Sequence, residues 1–281
     1  MKTILNQHSR LMLFLVIGPL MAFGTLCACH PRSDTTVATK EPATSLHPST
    51  SGCPSPDKAI VSLTYDDNLP SQLQNAVPML DARGIRGTFF LTDVRSDAAP
   101  WKAVRAAGHE LASHTLHHPC TRSFDWVTPG NGSEDYSMER MATELDEQMQ
   151  MLLSLGETPP LSFAYPCGTT WIGEGQTSYI PLVEERFIAA RGVSGDIVTS
   201  LDTPMNVPAY FLEGPIEAFI GSANAAIQSR GWVVFGFHGV GGDYLAVSGE
   251  DHAGFLDWLM DHRAEVAVLP FRDAARCMMS R

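Results

Sequence analysis

From Ala59 to the C-terminus, short apolar runs alternate with amphipathic stretches, and this alternation limits the possible folds more than any other feature of the chain. Runs of β-favouring residues separated by helical periodicity specify βα units. Each crossover helix returns the chain to the same end of the sheet, so the strands run parallel. Ala59-Ile60-Val61-Ser62-Leu63-Thr64-Tyr65 predicts the first strand. Ser71 to Arg83 predicts a helix closed by Gly84, with Pro78 kinking it or shortening its first half. Arg86 to Leu91 is a second strand, Trp101 to Ala107 a second helix ended by Gly108, and Glu110 to Ser113 a third strand. Residues 118 to 136 lack periodicity and read as a long loop of the functional kind. Ser137 to Leu155 is the clearest helix, with Met141, Leu145, Met149 and Leu152 on one stripe. Strands recur at Leu161 to Tyr165, Phe187 to Ala190, Trp232 to Phe237 and Glu265 to Leu269, and Ser248 to Asp251 forms a capping box for a helix reaching about His262. No internal repeat is present. The expected fold is α/β: a single distorted (β/α) barrel of about seven parallel strands, with its active site at their C-terminal ends.

The N-terminus has a different character. Lys2 and Arg10 precede an apolar stretch from Leu11 to Leu26 that Gly18, Pro19 and Gly24 interrupt, the pattern of an export signal rather than a spanning helix. Leu26-Cys27-Ala28-Cys29 resembles the bacterial lipobox, which implies cleavage after residue 28 and a lipid on Cys29; Cys27 departs from the small or hydroxylated residue usual there. His30 replaces the Asp that often signals inner-membrane retention, which leans towards the outer membrane. Up to Pro56 the chain is rich in Ser, Thr and Pro and reads as a flexible tether. The expected organisation is a signal peptide at 1–28, a tether at 29–56 and a folded domain at 57–281, with membrane contact only through the anchor. The net charge of −12 argues against nucleic acid, which needs clustered Lys and Arg. Nothing in the sequence fixes an oligomeric state.

Three constellations follow strand ends. Asp66 and Asp67 are adjacent carboxylates after a buried strand, where repulsion and desolvation make them costly unless a cation or a division of labour relieves them. A polar turn capping the next helix is the alternative. In His114-Thr115-Leu116-His117-His118, one helical turn would put His114 and His118 on the same side, a spacing suited to a divalent metal that accepts imidazole and carboxylate; His117 offers a competing partner for His114. His238, between Phe237 and Gly239, is placed for proton transfer or is a buried structural histidine. Together these are the components of a metal hydrolase.

The same residues, in order, resemble the polysaccharide deacetylase family (carbohydrate esterase family 4) over roughly residues 56–281. Thr64 to Asn68 matches its T-F-D-D-G-like motif with Asn68 in place of Gly, a mild change because Asn tolerates left-handed backbone. His114 to His118 matches the H-[ST]-x-x-H motif, and Phe237-His238 the late L-x-H. Thr88 to Leu91 and Gly108 to Glu110 also fit. Phe163 to Gly168 aligns with R-x-P-[YFW], but Ala164 stands where many members carry Arg; Arg191 is a candidate to supply that guanidinium. The D-x-x-D-W-like motif has no clear match, leaving Asp196 and Asp202 as candidates to partner the histidine. The resemblance implies removal of acetyl groups from a carbohydrate such as chitooligosaccharide or peptidoglycan. The same site could cleave O-acetyl esters of xylan, and a catalytically decayed carbohydrate-binding lipoprotein is the reading from another class. It further implies that Asp67, His114 and His118 hold a divalent metal, Zn2+ first, with Co2+, Ni2+ or Mn2+ as alternatives. Asp66 would be the base, His238 the acid, and the backbone N–H of Cys167 an oxyanion donor.

Four cysteines lie beyond the signal region, an even number in an oxidising compartment. They allow three pairings, and free thiols are the alternative. Cys120 and Cys167 both follow strand ends of the site, which favours Cys120–Cys167 with Cys53–Cys277. Trp126 and Trp171 lie in loops beside the motifs and are the better candidates for sugar stacking; Trp101, Tyr179 and Tyr210 are weaker ones.

Overall fold

The computed structural model describes residues 52–281. The expected signal peptide, Cys29 and most of the tether lie outside the described residues.

The strands are β1 (Ala59–Asp66), β2 (Thr88–Leu91), β3 (Glu110–Ser113), β4 (Leu161–Ala164), β5 (Trp171–Ile172), β6 (Thr177–Ser178), β7 (Phe187–Arg191), β8 (Ile197–Val198), β9 (Tyr210–Phe211), β10 (Trp232–Phe237) and β11 (Val266–Val268). The helices are α1 (Val77–Asp81), α2 (Ala98–Ala106), α3 (Met138–Ser154), α4 (Ile180–Glu184), α5 (Ile216–Ser229), α6 (Gly249–Asp261) and α7 (Phe271–Met279). Seven parallel strands, β1, β2, β3, β4, β7, β10 and β11, form a curled half-barrel, with path β7-β4-β3-β2-β1-β10 and β11 beside β1. One edge of β1 pairs with β10 along its length. Its other edge is shared, with β11 at Ala59–Val61 and β2 at Thr64–Asp66.

Every residue of β1 is buried, because both faces of the sheet are covered. Val61, Leu63 and Tyr65 join the core under the outer helices. Ile60 faces inward with Phe90, Ala112, Ala164, Ala189 and Val234, and the interior is closed by Phe271, Ala274, Ala275 and Met278 of α7. The inward Ser62 and Thr64 hydroxyls donate to the carbonyls of Leu269 and Phe235, so their burial is compensated. The alternation that points Ile60, Ser62 and Thr64 inward also points Asp66 into the mouth of the barrel.

The expected elements are present, with informative differences. The segment 71–83 divides into a π-helical turn at Gln72–Ala76 and α1, with Pro78 at the junction, where it has no N–H to offer the preceding turn. Ser137 caps α3, and Ser248 caps α6 by accepting from the Asp251 N–H. The two-residue strands β5, β6, β8 and β9 and the helices α4, α5 and α7 were not anticipated. Both disulfides form with the expected partners. Cys53–Cys277 ties the start of the described chain to α7, and Cys120–Cys167 ties the long loop to the end of β4.

Candidate active site

Adjacent residues on a strand point to opposite faces, yet Asp66 and Asp67 both reach the cleft at the C-terminal strand ends. Asp66 does so as the last inward residue of β1. Asp67 does so because its backbone, like that of Asn68, is left-handed (φ 72 and 46). The Asn68 side chain secures this bend by accepting from the Thr92 N–H at 2.9 Å and its hydroxyl at 2.6 Å.

Asp67 Oδ1 lies 3.6 Å from His114 Nε2 and 3.4 Å from His118 Nε2. The histidines meet there by a different route from the expected helical turn. Thr115 and His118 are left-handed (φ 59 and 52), and the His118 N–H donates to Thr115 Oγ1. His114 Nδ1 donates to the Ala164 carbonyl at 2.8 Å, which leaves Nε2 as the free lone pair facing Asp67. His117 points away and pairs with Glu144 at 3.2 Å. Burial, with His114 alongside, brings the His118 pKa down to about 4 despite the pull of Asp67 and Asp66, so its imidazole is neutral, the ligating form. Burial also pushes Asp67 upward, but the His114, His118 and His238 imidazoles and the Tyr244 hydroxyl hold it below its ordinary value.

Asp67 Oδ1 is buried without a hydrogen-bond donor and faces two imidazole nitrogens, a set that fits a divalent cation. His118, Cys120 and Cys167 also converge, but the disulfide occupies both sulfurs. On its other side Asp67 Oδ2 accepts from the Tyr244 hydroxyl at 2.9 Å and lies 3.7 Å from His238 Nε2. Tyr244 was missed in the sequence; its loop carries no motif.

Asp66 Oδ2 accepts from Arg191 Nη2 at 2.6 Å, while Oδ1 is buried and unengaged. Arg191 ends β7 directly across the ladder from Ala164. Its guanidinium lies between the rings of Phe90 and Phe211, 4.9 and 4.8 Å from their centroids. Gly236 makes room for Phe211, whose ring a Cβ there would strike.

The cleft encloses about 780 Å³, and Asp66, Asp67, His114, His118, His238 and Cys167 all line it. Trp126 lines it too, stacked on His118 at 6.0 Å. Six other sequence candidates do not line it. Asp196 is exposed and accepts from its neighbour, the Ile197 N–H, in the segment leading to β8, which pairs with the opposite end of β10 from His238. Asp202 is exposed and bound to Ser200. Trp171 sits half-buried in the β5–β6 hairpin, outside the residues that line the cleft. Trp101 and Tyr179 are core residues, and Tyr210 packs against Phe235.

Known proteins resemble this chain in sequence and in fold. Residues 54–172 match the family model described as polysaccharide deacetylase, a span that contains Asp66, Asp67, His114 and His118. Among solved structures, one from Mycobacterium smegmatis described as a polysaccharide deacetylase superposes with a TM-score of 0.57 at 14% identity, covering 82% of this chain and 93% of that one. The peptidoglycan deacetylase PdaC from Bacillus subtilis gives 0.49 at 11% identity, covering 81% and 95%. A gellan lyase from Bacillus sp is 26% identical over 135 residues, covering 48% of this chain but only 5% of the lyase.

Proposed function

We propose that this member of the polysaccharide deacetylase family is a metal-dependent hydrolase that removes acetyl groups from an N-acetylated glycan such as a chitooligosaccharide or peptidoglycan. The observation that carries the reading is the buried, donor-free Asp67 Oδ1 facing His114 Nε2 and His118 Nε2, with a second carboxylate and a third imidazole beside it.

Asp67, His114 and His118 would hold the cation, with Zn2+ favoured by the mixed imidazole and carboxylate donors and Co2+, Ni2+ or Mn2+ as alternatives. Such an ion supplies Lewis-acid polarisation of the acetyl carbonyl and a more acidic water. Asp66 takes the proton of the attacking water on Oδ1, the oxygen Arg191 leaves free. Arg191 positions that base in place of the arginine absent at Ala164. The Cys167 backbone, left-handed at φ 52 on the cleft wall, offers its N–H to the developing oxyanion. His238 protonates the departing amine or alcohol. Tyr244 is a positioning residue that turns the Asp67 carboxylate so that Oδ1 faces the histidines.

The same chemistry cleaves acetyl esters, so acetylated xylan is the second substrate class. The presence of all five polar residues in one cleft favours an active enzyme over a decayed binder. The lipobox-like segment ending in Cys29 supports an exported envelope lipoprotein held by its anchor, with the outer membrane favoured by His30. The test is acetate release by the zinc-loaded protein from N-acetylated chitooligosaccharides, peptidoglycan fragments and O-acetylated xylan. Acetate from one of them that is lost in Asp66→Asn supports the reading and chooses between amide and ester; equal acetate from the variant refutes it.

A further inference from the structure

Single exposed apolar residues are ordinary on a protein surface, but a convergent set of them is not. Six large hydrophobic residues are exposed among the described residues, and five of them, Phe124, Trp126, Val193, Tyr244 and Leu245, line this one cleft; the sixth is Met279. They come from three separate segments: the loop after β3, the turn after β7 and the loop after β10. Leu212 adds a further aliphatic side chain to the same wall.

Leu245 is the most telling. It is 51% exposed, so about half of its apolar surface faces solvent. Its backbone is left-handed (φ 45), an unfavourable conformation for leucine. The loop nevertheless keeps it there: the Gly239 N–H donates to the Tyr244 carbonyl, the Gly241 N–H to the Val247 carbonyl, and the Ser71 N–H to Asp243 Oδ2 at 2.8 Å. Leu245 is thereby held outward on the cleft wall despite its backbone preference.

The side chains of Val193, Leu212 and Leu245 offer sugar hydroxyls no hydrogen-bond partner. Away from Asp66, Asp67, the three histidines and the two tyrosines, the only polar side-chain groups lining the cleft are the Glu213 carboxylate and the Trp126 indole N–H. No lysine or arginine lines it, and its acidic groups repel anions. We propose that the substrate of this cleft is an acetylated sugar carrying an uncharged hydrocarbon group, an alkyl chain or an aryl ring, that lies along the Val193, Leu212 and Leu245 wall. This rests on the hydrolase reading above and adds the substrate class to it.

The test is calorimetric binding of alkyl glucosides, methyl to octyl, to the zinc-loaded protein. These probes have no acetyl group to lose, so the result does not depend on amide or ester chemistry. Affinity rises with chain length, by at most about fourfold for each fully buried methylene. The gain shrinks in the double variant Val193→Ser, Leu245→Ser. Phenyl glucoside, run alongside, identifies an aryl group if it alone binds more tightly than methyl glucoside. Cello-oligosaccharides of increasing length are the opposing series. Affinity that grows with each sugar ring while alkyl and aryl groups add nothing overturns the proposal. So does binding to neutral phosphatidylcholine vesicles without a response to alkyl length, since the rim would then face a membrane. Acetate release, and its loss in Asp66→Asn, reports separately on the hydrolase reading.

Discussion

Arg191 Nη2 and Asp66 Oδ2 are 2.6 Å apart although β4, β3 and β2 lie between their strands in the sheet. Only a strongly curled sheet brings the ends of β7 and β1 together. The pair is therefore both a product of the barrel and a device that aims the proposed base. Both side chains are almost fully buried, at 1% and 4% exposure, so removing one partner strands a charge.

Arg191→Ala should accordingly lower kcat by about 10²-fold or more, the scale on which a mispositioned base is felt. It should also cost about 3–5 kcal/mol of stability. Added guanidinium should restore part of kcat, because the gap between Phe90 and Phe211 is shaped for a planar cation. Steady-state kinetics with and without guanidinium, beside a denaturation curve, separates lost positioning from lost folding; an unchanged kcat removes Arg191 from the mechanism.

Much of this site was legible in the sequence because its residues follow strands that are themselves unmistakable. Asp66, Asp67, His114 and His238 inherit their placement from β1, β3 and β10, whose apolar runs leave little choice of register. Arg191 was readable for the same reason, as the terminal residue of β7. Asp196 misled because its turn leads into β8, which reverses direction and pairs with the wrong end of β10. Two residues carry no period, so neither β8 nor β9 could be seen. Tyr244 and Leu245 were invisible on different grounds. Their loop is placed by backbone hydrogen bonds and left-handed residues that no spacing rule describes.

The Tyr244 hydroxyl and the His114 and His118 rings converge on opposite oxygens of Asp67, which predicts a graded loss of metal. His118→Ala should abolish stoichiometric zinc binding. Tyr244→Phe, which keeps the ring, should weaken zinc by about 10–100-fold, the range found for groups that orient a ligand. Competition with a chromophoric chelator measures both. If Asp67→Asn abolishes binding and Tyr244→Phe leaves it unchanged, the hydroxyl does not orient the carboxylate. If Asp67→Asn itself leaves zinc affinity unchanged, the ligand set is wrong.

The disulfides should separate function from stability. Cys120–Cys167 fixes the loop that lays Trp126 over His118, whereas Cys53–Cys277 lies at the other end of the domain, joining the chain start to α7. Cys120→Ser with Cys167→Ser should raise KM several-fold and lower Tm. Cys53→Ser with Cys277→Ser, which opens a much longer loop, should lower Tm by an amount equivalent to about 2–4 kcal/mol while leaving KM alone. Paired kinetics and thermal melts on the two double variants decide it, and a KM change in the second would show that α7 communicates with the cleft.

His252 supplies a pH dependence that is independent of the cleft. It is buried in the core, where Tyr65 Oη lies 2.8 Å from its Nε2. Burial, reinforced by the Arg83 charge, brings its pKa down to about 3. In the unfolded chain the same imidazole titrates near ~6.5. Between those values the unfolded state binds a proton that the folded state refuses. The stability this histidine permits is therefore intact above about pH 6.5 and is lost progressively as the pH falls towards 3. The slope should approach 1.4 kcal/mol per pH unit, with His118 adding to it over a window that ends near its own folded value of about 4. Urea denaturation at pH 7.5, 6 and 5 should give a steeper decline for the native protein than for His252→Gln, whose amide still reaches Tyr65 but cannot charge. Parallel declines in the two proteins would mean that His252 already accepts a proton in the folded state.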